Sequence, residues 1–360
     1  MCKMPEKTAL IAMSGGVDSS VAALLMKQEG FECTGCTMKL FGGDGRDGET
    51  DSKCCSLDDV EDAREVARRL GMKYYVFNFK DDFEEKVICR FIRSYEEGRT
   101  PNPCIDCNRY MKFEKLLERA EILGCRYVVT GHYAVIEQTE DGTWLLKKAQ
   151  DPSKDQSYVL YSLTQQQLAH FRFPLGRLEK SQVRKIAAEN GFVNAEKPDS
   201  QDICFVPDGD YAAVIEARTG KKPEPGCFVD KDGNILGTHK GIVHYTIGQR
   251  KGLGIAFGEP RYVCGICPER NEVVLGTNEE LFGTEAEIGE FNWIAGTPPA
   301  DHFRCSAKIR YRQAEQPAEA EVMGSGHVRL SFDAPQRAIT PGQAAVLYDG
   351  DLVLGGGVIL

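Results

Sequence analysis

The sequence lacks any long hydrophobic run, and no stretch approaches the ~18–20 apolar residues that cross a membrane. Its N-terminal apolar run, 9–13, stops at Ser14-Gly15-Gly16, so we expect no secretory signal, no membrane partner and a cytoplasmic protein. Positive charge is also in deficit, with 44 Lys and Arg residues against 54 Asp and Glu and a formal net charge of −10. This balance excludes a uniformly basic protein that coats nucleic acid, but it allows a local basic patch.

Two common nucleotide-binding motifs are missing as well. The sequence contains no G-x-x-x-x-G-K-[ST], and no G-x-G-x-x-G follows its first predicted strand, so neither a Walker A loop nor a dinucleotide-binding fold is supported. Cysteine, by contrast, is abundant, with 14 residues in a chain of 360. Without a signal peptide, these cysteines favour metal, redox or nucleophile chemistry over a disulfide framework.

The hydrophobic pattern predicts three domains. Strands that alternate with helices over 1–205 indicate an α/β domain with a doubly wound parallel sheet. Residues 206–275 are rich in glycine and turns and predict a small mixed central domain, whereas short strands over 276–360 predict a C-terminal antiparallel β-barrel. The elements predicted for the first domain are the strands Thr8–Met13, Phe31–Leu40, Tyr74–Phe79 and Tyr127–Thr130 and the helices Asp18–Gln28, Leu57–Leu70, Phe83–Glu97 and Lys112–Leu123.

A glycine-rich heptad, Ser14-Gly15-Gly16-Val17-Asp18-Ser19-Ser20, follows the first predicted strand and opens a helix. Two glycines let the backbone approach an anion closely, and the N–H groups at a helix N-terminus bind phosphate. The serine hydroxyls add further donors. The alternative is a tight strand–helix turn with a Ser or Asp N-cap. The complete heptad in this position favours phosphate binding.

Two segments carry the cysteines most suited to chemistry. In the first, 100–108, two prolines predict a rigid turn that presents Cys104 and Cys107 as a C-x-x-C directly before a helix, where the thiolate is favoured. In the second, 199–205, Cys204 stands in the motif D-S-Q-D-I-C-F. Buried structural cysteines are one alternative, and a structural zinc site is another, although zinc takes about four ligands and only three cysteines stand out.

The heptad resembles the PP-loop of ATP pyrophosphatases, which cleave ATP between the α- and β-phosphates. The order of motifs along the whole chain then looks like the tRNA-specific 2-thiouridylases, a family of tRNA-uridine 2-sulfurtransferases within that superfamily. The motifs that carry this resemblance are the PP-loop, Met38, T-P-N-P-x-x-x-C-N at 100–108, T-G-H-Y at 130–133, K-D-Q-S-Y at 154–158, D-S-x-x-I-C-F at 199–205, G-Q-R-K-G-L-G at 248–254, R-Y-R-Q at 310–313 and T-P-G-Q at 340–343.

The resemblance implies a role for each matching position. Cys107 would be the nucleophile and Cys204 the persulfide carrier, with a Cys107–Cys204 disulfide formed on turnover, and His132 would lie beside the substrate. The residues implied to hold ATP are Ala12, Met13, Ser14, Gly15, Gly16, Val17, Asp18, Ser19, Met38 and Gly131. Those implied to contact the target base are Asn102, Pro103 and Cys104, and those implied to contact tRNA elsewhere are Lys154, Asp155, Gln156, Arg310, Tyr311 and Gln343.

The implied reaction is ATP-dependent 2-thiolation of the wobble uridine of tRNA. Adenylation turns the C2 oxygen, a poor leaving group, into AMP, and a sulfur nucleophile then attacks C2. The implied partners are the anticodon loops of Lys, Glu and Gln tRNAs and a sulfur-relay protein or cysteine desulfurase. We expect Mg²⁺ to accompany the ATP phosphates, with Asp18 as a candidate ligand. The alternative is another PP-loop ATP pyrophosphatase that acts on a small-molecule carbonyl.

One position departs from the common family pattern, since many members carry Asp where this chain has Cys104. Cys104, Cys107 and Cys204 would supply three thiolates to a [4Fe–4S] cluster and leave one iron open to bind sulfide, as in related tRNA thiolases. A cluster and a persulfide relay therefore both stay open. A second metal site is a weaker hypothesis for the remaining paired cysteines, Cys33, Cys36, Cys54 and Cys55, and we interpret Cys264 and Cys267 as structural.

Basic residues cluster locally despite the net charge. Lys308, Arg310 and Arg312 alternate along a predicted strand, Ala307–Tyr311, so one strand face would carry all three. Solvated surface is the ordinary interpretation of each such cluster, but several of them beside a PP-loop and paired thiols favour salt-sensitive RNA binding. The other clusters are Arg250-Lys251 and Lys147-Lys148 with Lys154.

Overall fold

The structure is a computed structural model that describes residues 6–41, 57–199, 203–206, 209–255, 258–324 and 326–360. Cys54 and Cys55, and with them part of the hypothetical second metal site, lie outside the described residues, as does the glycine-rich stretch at 42–52. No described helix has the length and apolar character that spanning a membrane requires.

A parallel sheet forms the centre of the first domain, with the strands in the spatial order β3-β2-β1-β4-β7. The sheet is doubly wound because successive residues of β1 enter different cores: Leu10 packs with Phe83 and Phe91 on one face, whereas Ile11 packs with Val21 on the other. This architecture confirms the predicted fold class. The strands are β1 (Thr8–Ala12), β2 (Glu32–Lys39), β3 (Lys73–Asn78), β4 (Tyr127–Val129) and β7 (Phe171–Arg172).

Helices cover both faces of this sheet, and two of them contain π-helical segments. α3 (Lys80–Phe83) passes through a π segment, Glu84–Ile88, into α4 (Cys89–Glu96). Likewise, α5 (Pro103–Asp106) passes through a π segment, Cys107–Lys115, into α6 (Leu116–Ile122). The other helices of the domain are α1 (Val17–Gln28), α2 (Leu57–Arg69), α7 (Gln165–His170) and α8 (Lys180–Glu189).

The central region is small and mixed, as predicted. One helix, α9 (Tyr211–Thr219), precedes a four-stranded sheet in the order β10-β11-β8-β9. Phe228, Tyr245 and Val263 are buried in its core. The strands are β8 (Gly226–Val229), β9 (Ile235–His239), β10 (Tyr262–Cys267) and β11 (Glu272–Gly276).

Six antiparallel strands form a closed barrel in the C-terminal region, which confirms the predicted architecture. Their order is β12-β15-β14-β13-β16-β17, and the ring closes because β17 also pairs with β12. The hairpin β5 (Val135–Gln138) and β6 (Trp144–Lys147) extends this sheet through β17, although it belongs to the predicted first domain. The barrel strands are β12 (Phe282–Trp293), β13 (His302–Lys308), β14 (Gln316–Gly324), β15 (His327–Arg337), β16 (Ala344–Asp349) and β17 (Leu352–Ile359).

The predicted basic strand is wrong in its bounds. β13 ends at Lys308, and Arg310 and Arg312 lie in the turn that follows it. The three basic residues therefore do not share a strand face. Arg310 points inward to backbone carbonyls and is partly buried, whereas Arg312 is exposed.

Candidate active site

The glycine-rich loop runs from the end of β1 into α1 and has a conformation that only glycine accepts readily. Gly15 has a φ of +75°, and a Cβ atom there would stand 2.4 Å from the carbonyl oxygen of Asp59. The hydroxyl of Ser19 donates to the carbonyl of Gly16 (3.0 Å) and accepts from the amide of Ser14 (3.2 Å). The loop is thus fixed in front of α1, whose first-turn amides need acceptors from outside the helix.

The other residues predicted to hold ATP converge at the same edge of the sheet. Ala12 ends β1, and Met38 lies near the end of β2. Gly131 follows β4, where a Cβ atom would stand only 2.9 Å from the amide nitrogen of Ser19. These positions meet at the carboxyl ends of neighbouring parallel strands, which is where open α/β sheets bind ligands.

An ion-pair network surrounds the first turn of α1. The ammonium of Lys180 lies 2.7 Å from one oxygen of Asp18 and 2.8 Å from the other, and 2.8 Å from a carboxylate oxygen of Asp199. Asp199 also pairs with Lys154 at 2.8 Å and with Arg184 at 3.1 Å. Burial opposes ionisation of Asp199, but its bonds to Lys154 and Lys180 outweigh burial and lower its pKa.

Several residues of this region were not predicted from the sequence. The amide of Asn194 is buried and donates to the carbonyl of Gly15 and to the hydroxyl of Ser20, both at 2.9 Å. The hydroxyl of Tyr133 donates to Asp18 at 2.7 Å. Asn194 and Lys180 stand in no recognised motif and reach the loop only through the fold, so no local signal indicates them. Tyr133 is the last residue of the T-G-H-Y motif, and this motif is the sequence signal that could have indicated it.

The C-x-x-C lies inside a helix, so its predicted position in a loop before the helix is wrong. The helix begins at Pro103, nine residues before the predicted start at Lys112. The side chain of Asn102 caps it by accepting from the amide of Cys104 at 3.2 Å. Cys104 is therefore in the first turn, whereas Cys107 is one turn further and begins the π segment. The helix-terminus effect on thiolates applies within the first turn and so favours Cys104 over Cys107.

Cys204 borders the same hydrophobic core as Cys107, and both side chains are partly buried there. The neighbouring Phe205 fixes this segment, because its ring packs edge-on against Phe83 at 5.7 Å and against Phe91 at 5.3 Å. The fold therefore brings the two predicted sulfur-carrying segments to one core. Cys104 is exposed beside it.

His132, predicted beside the substrate, is enclosed by aromatic rings. Its ring lies 6.1 Å from that of Phe113 and 5.6 Å from that of Phe173, and only 6 % of the residue is exposed. Its Nδ1 shares a hydrogen bond of 2.6 Å with the hydroxyl of Thr130. Burial, assisted by the charge of Lys112, lowers the pKa of His132 well below its usual range, so the imidazole is neutral at physiological pH.

The K-D-Q motif packs against the ion-pair network. Lys154 pairs with Asp199, as described above, and Gln156 accepts from the amide of Tyr133 at 3.0 Å. Asp155 accepts from the amide of Ala149 at 2.9 Å. The predicted tRNA contacts Asp155 and Gln156 thus also hold the local backbone together.

The helix that begins at Pro103 and carries Cys104 and Cys107 is called the cysteine helix below. Tyr311, in the turn after β13 of the barrel, lies close to it. Burial raises the pKa of Tyr311, and the nearby side chains of Asp155 and Cys104 act in the same direction. The residue is 39 % exposed, and its ring lies 5.8 Å from that of Tyr158. An aromatic ring, a thiol and the K-D-Q motif therefore share one surface, although they come from distant parts of the chain.

The remaining cysteines give no second metal centre within the described part of the chain, where no group of three or more His, Cys, Asp or Glu side chains is arranged around a metal position. Cys33 and Cys36 lie on β2 but enter the two different cores. Burial raises the pKa of Cys33 to about 11 and that of Cys36 further still, which makes both thiols unreactive. Cys104, Cys107 and Cys204 likewise form no such group among the described residues.

Fold and site together define an α/β enzyme of the PP-loop class with two appended β domains. Residues 7–208 match the family described as tRNA methyl transferase HUP domain, residues 213–277 that described as tRNA methyl transferase PRC-barrel domain, and residues 284–359 that described as Aminomethyltransferase beta-barrel domain. The chain belongs to the family of the tRNA-specific 2-thiouridylases, on the basis of relatives identical at about half of all positions.

Three relatives illustrate the extent of this similarity. The tRNA-specific 2-thiouridylase MnmA of Clostridioides difficile (strain 630) is 52% identical over 355 residues, which cover 98% of each chain. MnmA 2 of Caldanaerobacter subterraneus subsp. tengcongensis is 53% identical over 97% of each chain. MnmA of Acetivibrio thermocellus is 51% identical over 99% of this chain and 100% of its own. Among solved structures, NMN synthetase from Francisella tularensis aligns with 61% of this chain and 79% of its own at 19% identity and a TM-score of 0.35, too low to support a conclusion.

Proposed function

We propose that this protein is a tRNA-uridine 2-sulfurtransferase that uses ATP to replace the C2 oxygen of the wobble uridine by sulfur. One observation carries the proposal: a PP-loop domain holds Cys107 and Cys204 at the border of a single core. The relatives described above carry the name of this activity. The family descriptions mention methyl transfer instead, but two such cysteines are the residues that sulfur transfer requires.

The first step activates the base. The glycine-rich loop and the first turn of α1 bind the phosphates, and the C2 oxygen of uridine attacks the α-phosphorus of ATP. The bond between the α-phosphorus and the bridging oxygen breaks, and pyrophosphate leaves. The product is an adenylated uridine whose leaving group is AMP. Mg²⁺, for which Asp18 is the candidate ligand, would balance the phosphate charge when bound.

The second step transfers sulfur. The terminal sulfur of a persulfide on Cys204 attacks C2, and AMP departs. The thiolate of Cys107 then attacks the Sγ atom of Cys204, so the persulfide S–S bond breaks and its electron pair stays with the sulfur on uridine. A Cys107–Cys204 disulfide remains. A thiol reductant must supply two electrons before the next turnover.

A [4Fe–4S] cluster on Cys104, Cys107 and Cys204 remains the alternative source of sulfur. The three side chains do not form a metal-binding group in the described arrangement. We therefore assign the sulfur transfer to the persulfide relay.

The proposed partners follow from the site. The wobble base lies in an anticodon loop, where a base can be flipped out of its stack into a protein pocket. The surface shared by Cys104, Tyr311 and Lys154 offers a thiol, an aromatic platform and a cation to such a base and its phosphates. We propose Lys, Glu and Gln tRNAs as substrates and a sulfur-relay protein or cysteine desulfurase as the donor.

Nucleoside mass spectrometry tests the activity directly. The purified protein is incubated without oxygen with unmodified lysine tRNA, ATP, Mg²⁺ and a persulfide or sulfide source, and the tRNA is then digested. We expect ATP-dependent 2-thiouridine, which Cys107→Ser and Cys204→Ser abolish. Cys89→Ser is the matched control, since this thiol is exposed on α4 and belongs to neither segment, and should retain activity. ATP cleavage to AMP without any thiolation would instead favour the small-molecule alternative.

Cys104→Asp separates the relay from the cluster. A carboxylate at this position removes one of the three cluster thiolates but leaves Cys107 and Cys204 in place. Full thiolation by Cys104→Asp, together with no bound iron in anaerobically purified wild-type protein, would establish the relay. Loss of thiolation together with loss of bound iron and its visible absorption would establish the cluster.

A further inference from the structure

Cys104 has no step in the persulfide relay, although it lies one helical turn before the nucleophile. The cysteine helix begins at Pro103, so Cys104 lies in its first turn and Cys107 follows three residues later. Cys104 is exposed, whereas Cys107 is partly buried at the border of the core. Residues three apart on a helix are neighbours on one face. The start of this helix therefore places a thiol on the solvent side of the nucleophile.

The spacing of these two cysteines allows a disulfide between them. Residues three apart on a helix have Cα atoms about 5 Å apart and Cβ atoms about 5–6 Å apart. A disulfide accepts Cα distances of roughly 4.4–6.8 Å but needs Cβ distances of roughly 3.5–4.5 Å, so the two side chains must approach by about 1–2 Å. The first turn can make this movement, because the amide of Cys104 is held by the side chain of Asn102, at 3.2 Å, and not by a helix carbonyl. A Cys104–Cys107 disulfide can therefore form without unfolding of the helix.

The oxidised product of the relay needs such a thiol. Sulfur transfer leaves a Cys107–Cys204 disulfide, and both of these side chains border the hydrophobic core. Phe205, whose ring packs among other aromatic rings, holds the segment of Cys204 there. The rate of thiol–disulfide exchange depends on access to the sulfur that is attacked. A reductant in solution therefore reaches the Cys107–Cys204 bond poorly, whereas Cys104 is exposed and one turn from Cys107.

We propose that Cys104 is the thiol that resolves the Cys107–Cys204 disulfide after each sulfur transfer. Its sulfur attacks the Sγ atom of Cys107, so a Cys104–Cys107 bond forms and the Cys107–Cys204 bond breaks. The electron pair of the broken bond stays on Cys204, which takes up the proton that Cys104 has lost and is ready for the next persulfide. The new disulfide lies at the exposed start of the helix, where two exchanges with a thiol in solution reduce it. The inference rests on the relay of the proposed function.

Disulfide mapping after one turnover tests this exchange. Persulfide-loaded protein, freed of excess donor, is mixed with unmodified lysine tRNA, ATP and Mg²⁺ without oxygen or reductant, and is then alkylated in acid. Trypsin releases Cys104 and Cys107 in one peptide, 100–109, and Cys204 in another. In the wild type we expect an internal disulfide in peptide 100–109 and an alkylated Cys204, whereas Cys104→Ser should join Cys107 to Cys204. A wild-type protein whose only disulfide is Cys107–Cys204 would overturn the proposal.

The rate of reduction by glutathione gives an independent measurement. The oxidised proteins are mixed with glutathione, and the return of the Cys107 thiol is followed by alkylation. We expect Cys104→Ser to be slower than the wild type by about tenfold or more, because a thiol held in place is replaced by one that must diffuse to a partly buried bond. Excess dithiothreitol, a stronger reductant, should remove this difference. Cys89→Ser keeps all three thiols of the exchange and should match the wild type.

The outcomes separate this inference from the proposed function. Equal rates of reduction by glutathione in the wild type and in Cys104→Ser would contradict the inference and leave the relay intact. A wild-type protein that makes no 2-thiouridine in the first turnover would contradict the proposed function itself. Formation of 2-thiouridine without any disulfide among Cys104, Cys107 and Cys204 would contradict the relay, and the inference with it.

Discussion

Gln343 of the C-terminal barrel donates a hydrogen bond to the backbone carbonyl of Thr100, at 2.8 Å. The amide of Thr100 in turn donates to the carbonyl of Pro341 at 2.9 Å. These bonds attach the barrel loop 340–343 to the segment that leads into the cysteine helix. The position of the cysteine helix therefore depends on the barrel as well as on the PP-loop domain.

Gly342→Ala should disrupt this attachment. Gly342 has a φ of +89°, and a Cβ atom there would stand 2.9 Å from the amide nitrogen of Thr100. The left-handed conformation alone costs a non-glycine residue roughly 1–2 kcal/mol, and the clash also pushes the loop away from Thr100. We expect the thiolation rate to fall at least severalfold while ATP affinity, measured by calorimetry, stays unchanged.

Gly350→Ala is the matched control for that substitution. Gly350 lies in the same domain with a φ of +56°, but an added Cβ would meet no atom within 4 Å. Gly350→Ala should lower the unfolding free energy by a similar amount and leave the thiolation rate unchanged. Equal thiolation rates in the two variants would show that the barrel loop does not position the cysteine helix.

Asn102→Ala should weaken the start of the cysteine helix. The side chain of Asn102 caps the amide of Cys104, and loss of such a cap typically costs ~1 kcal/mol. We expect a lower unfolding free energy in denaturant titrations and slower thiolation. Asn102→Asp keeps a capping oxygen and should restore stability, so a rate that also recovers would assign Asn102 to capping. A rate that stays low in Asn102→Asp would assign it to a contact with the base.

The sequence predicts those parts of the site that depend on local order. β1, the glycine-rich heptad and α1 follow one another directly, so periodicity and turn chemistry suffice to place them. The predicted start of the cysteine helix, Lys112, is wrong, although Asn102 at the N-cap and Pro103 at the first helical position are typical of a helix N-terminus. The two prolines predict a rigid turn, and the hydrophobic spacing predicts a helix only from Lys112 onward.

Contacts between residues that are far apart in the sequence could not be predicted from local patterns. Lys180 meets Asp18 from 162 residues away, and Asn194 meets Gly15 from 179. No local pattern distinguishes these residues from surface Lys and Asn. The pairing of β6 with β17, which joins the hairpin β5–β6 to the barrel, could not be predicted either. Pairing between strands of different domains depends on how the domains pack.

The buried His132 should make folding stability sensitive to acid. Its pKa is lowered in the folded state by burial and by Lys112, whereas in the unfolded chain it returns to about 6.5. Below that pH the unfolded state binds the additional proton, so the unfolding free energy falls as pH falls, by up to ~1.4 kcal/mol per pH unit. Above pH ~6.5 this contribution is constant.

His132→Gln removes the titrating group and retains a hydrogen-bonding side chain for Thr130. Denaturant titrations between pH 5 and pH 7.5 should show a smaller decline in stability for this variant than for the wild type. His239 and His244 also have pKa values lowered by burial, and both remain in the variant, so the difference between the two proteins isolates His132. Parallel pH profiles would mean that His132 has the same pKa in the folded and unfolded states.

We expect a structural role for Arg310 and a tRNA-binding role for Arg312, although both belong to the R-Y-R-Q motif. The guanidinium of Arg310 donates to the carbonyl of Ala338 at 3.0 Å and to the hydroxyl of Thr340 at 2.8 Å, and burial lowers its pKa. Arg310→Met removes these bonds and leaves the Ala338 carbonyl without this donor, so we expect a loss of about 1–3 kcal/mol in unfolding free energy. Arg312 is exposed and should contribute little to stability.

Binding of tRNA measured across a range of salt concentrations completes this comparison. If Arg312 contacts a phosphate, Arg312→Met should weaken binding and reduce the slope of log affinity against log salt by about one, because one fewer counterion is released. Arg310→Met should keep the wild-type slope, since its charge is directed at the protein. A reduced slope for Arg310→Met with unchanged stability would instead place Arg310 on the tRNA and assign the bonds to Ala338 and Thr340 a minor role.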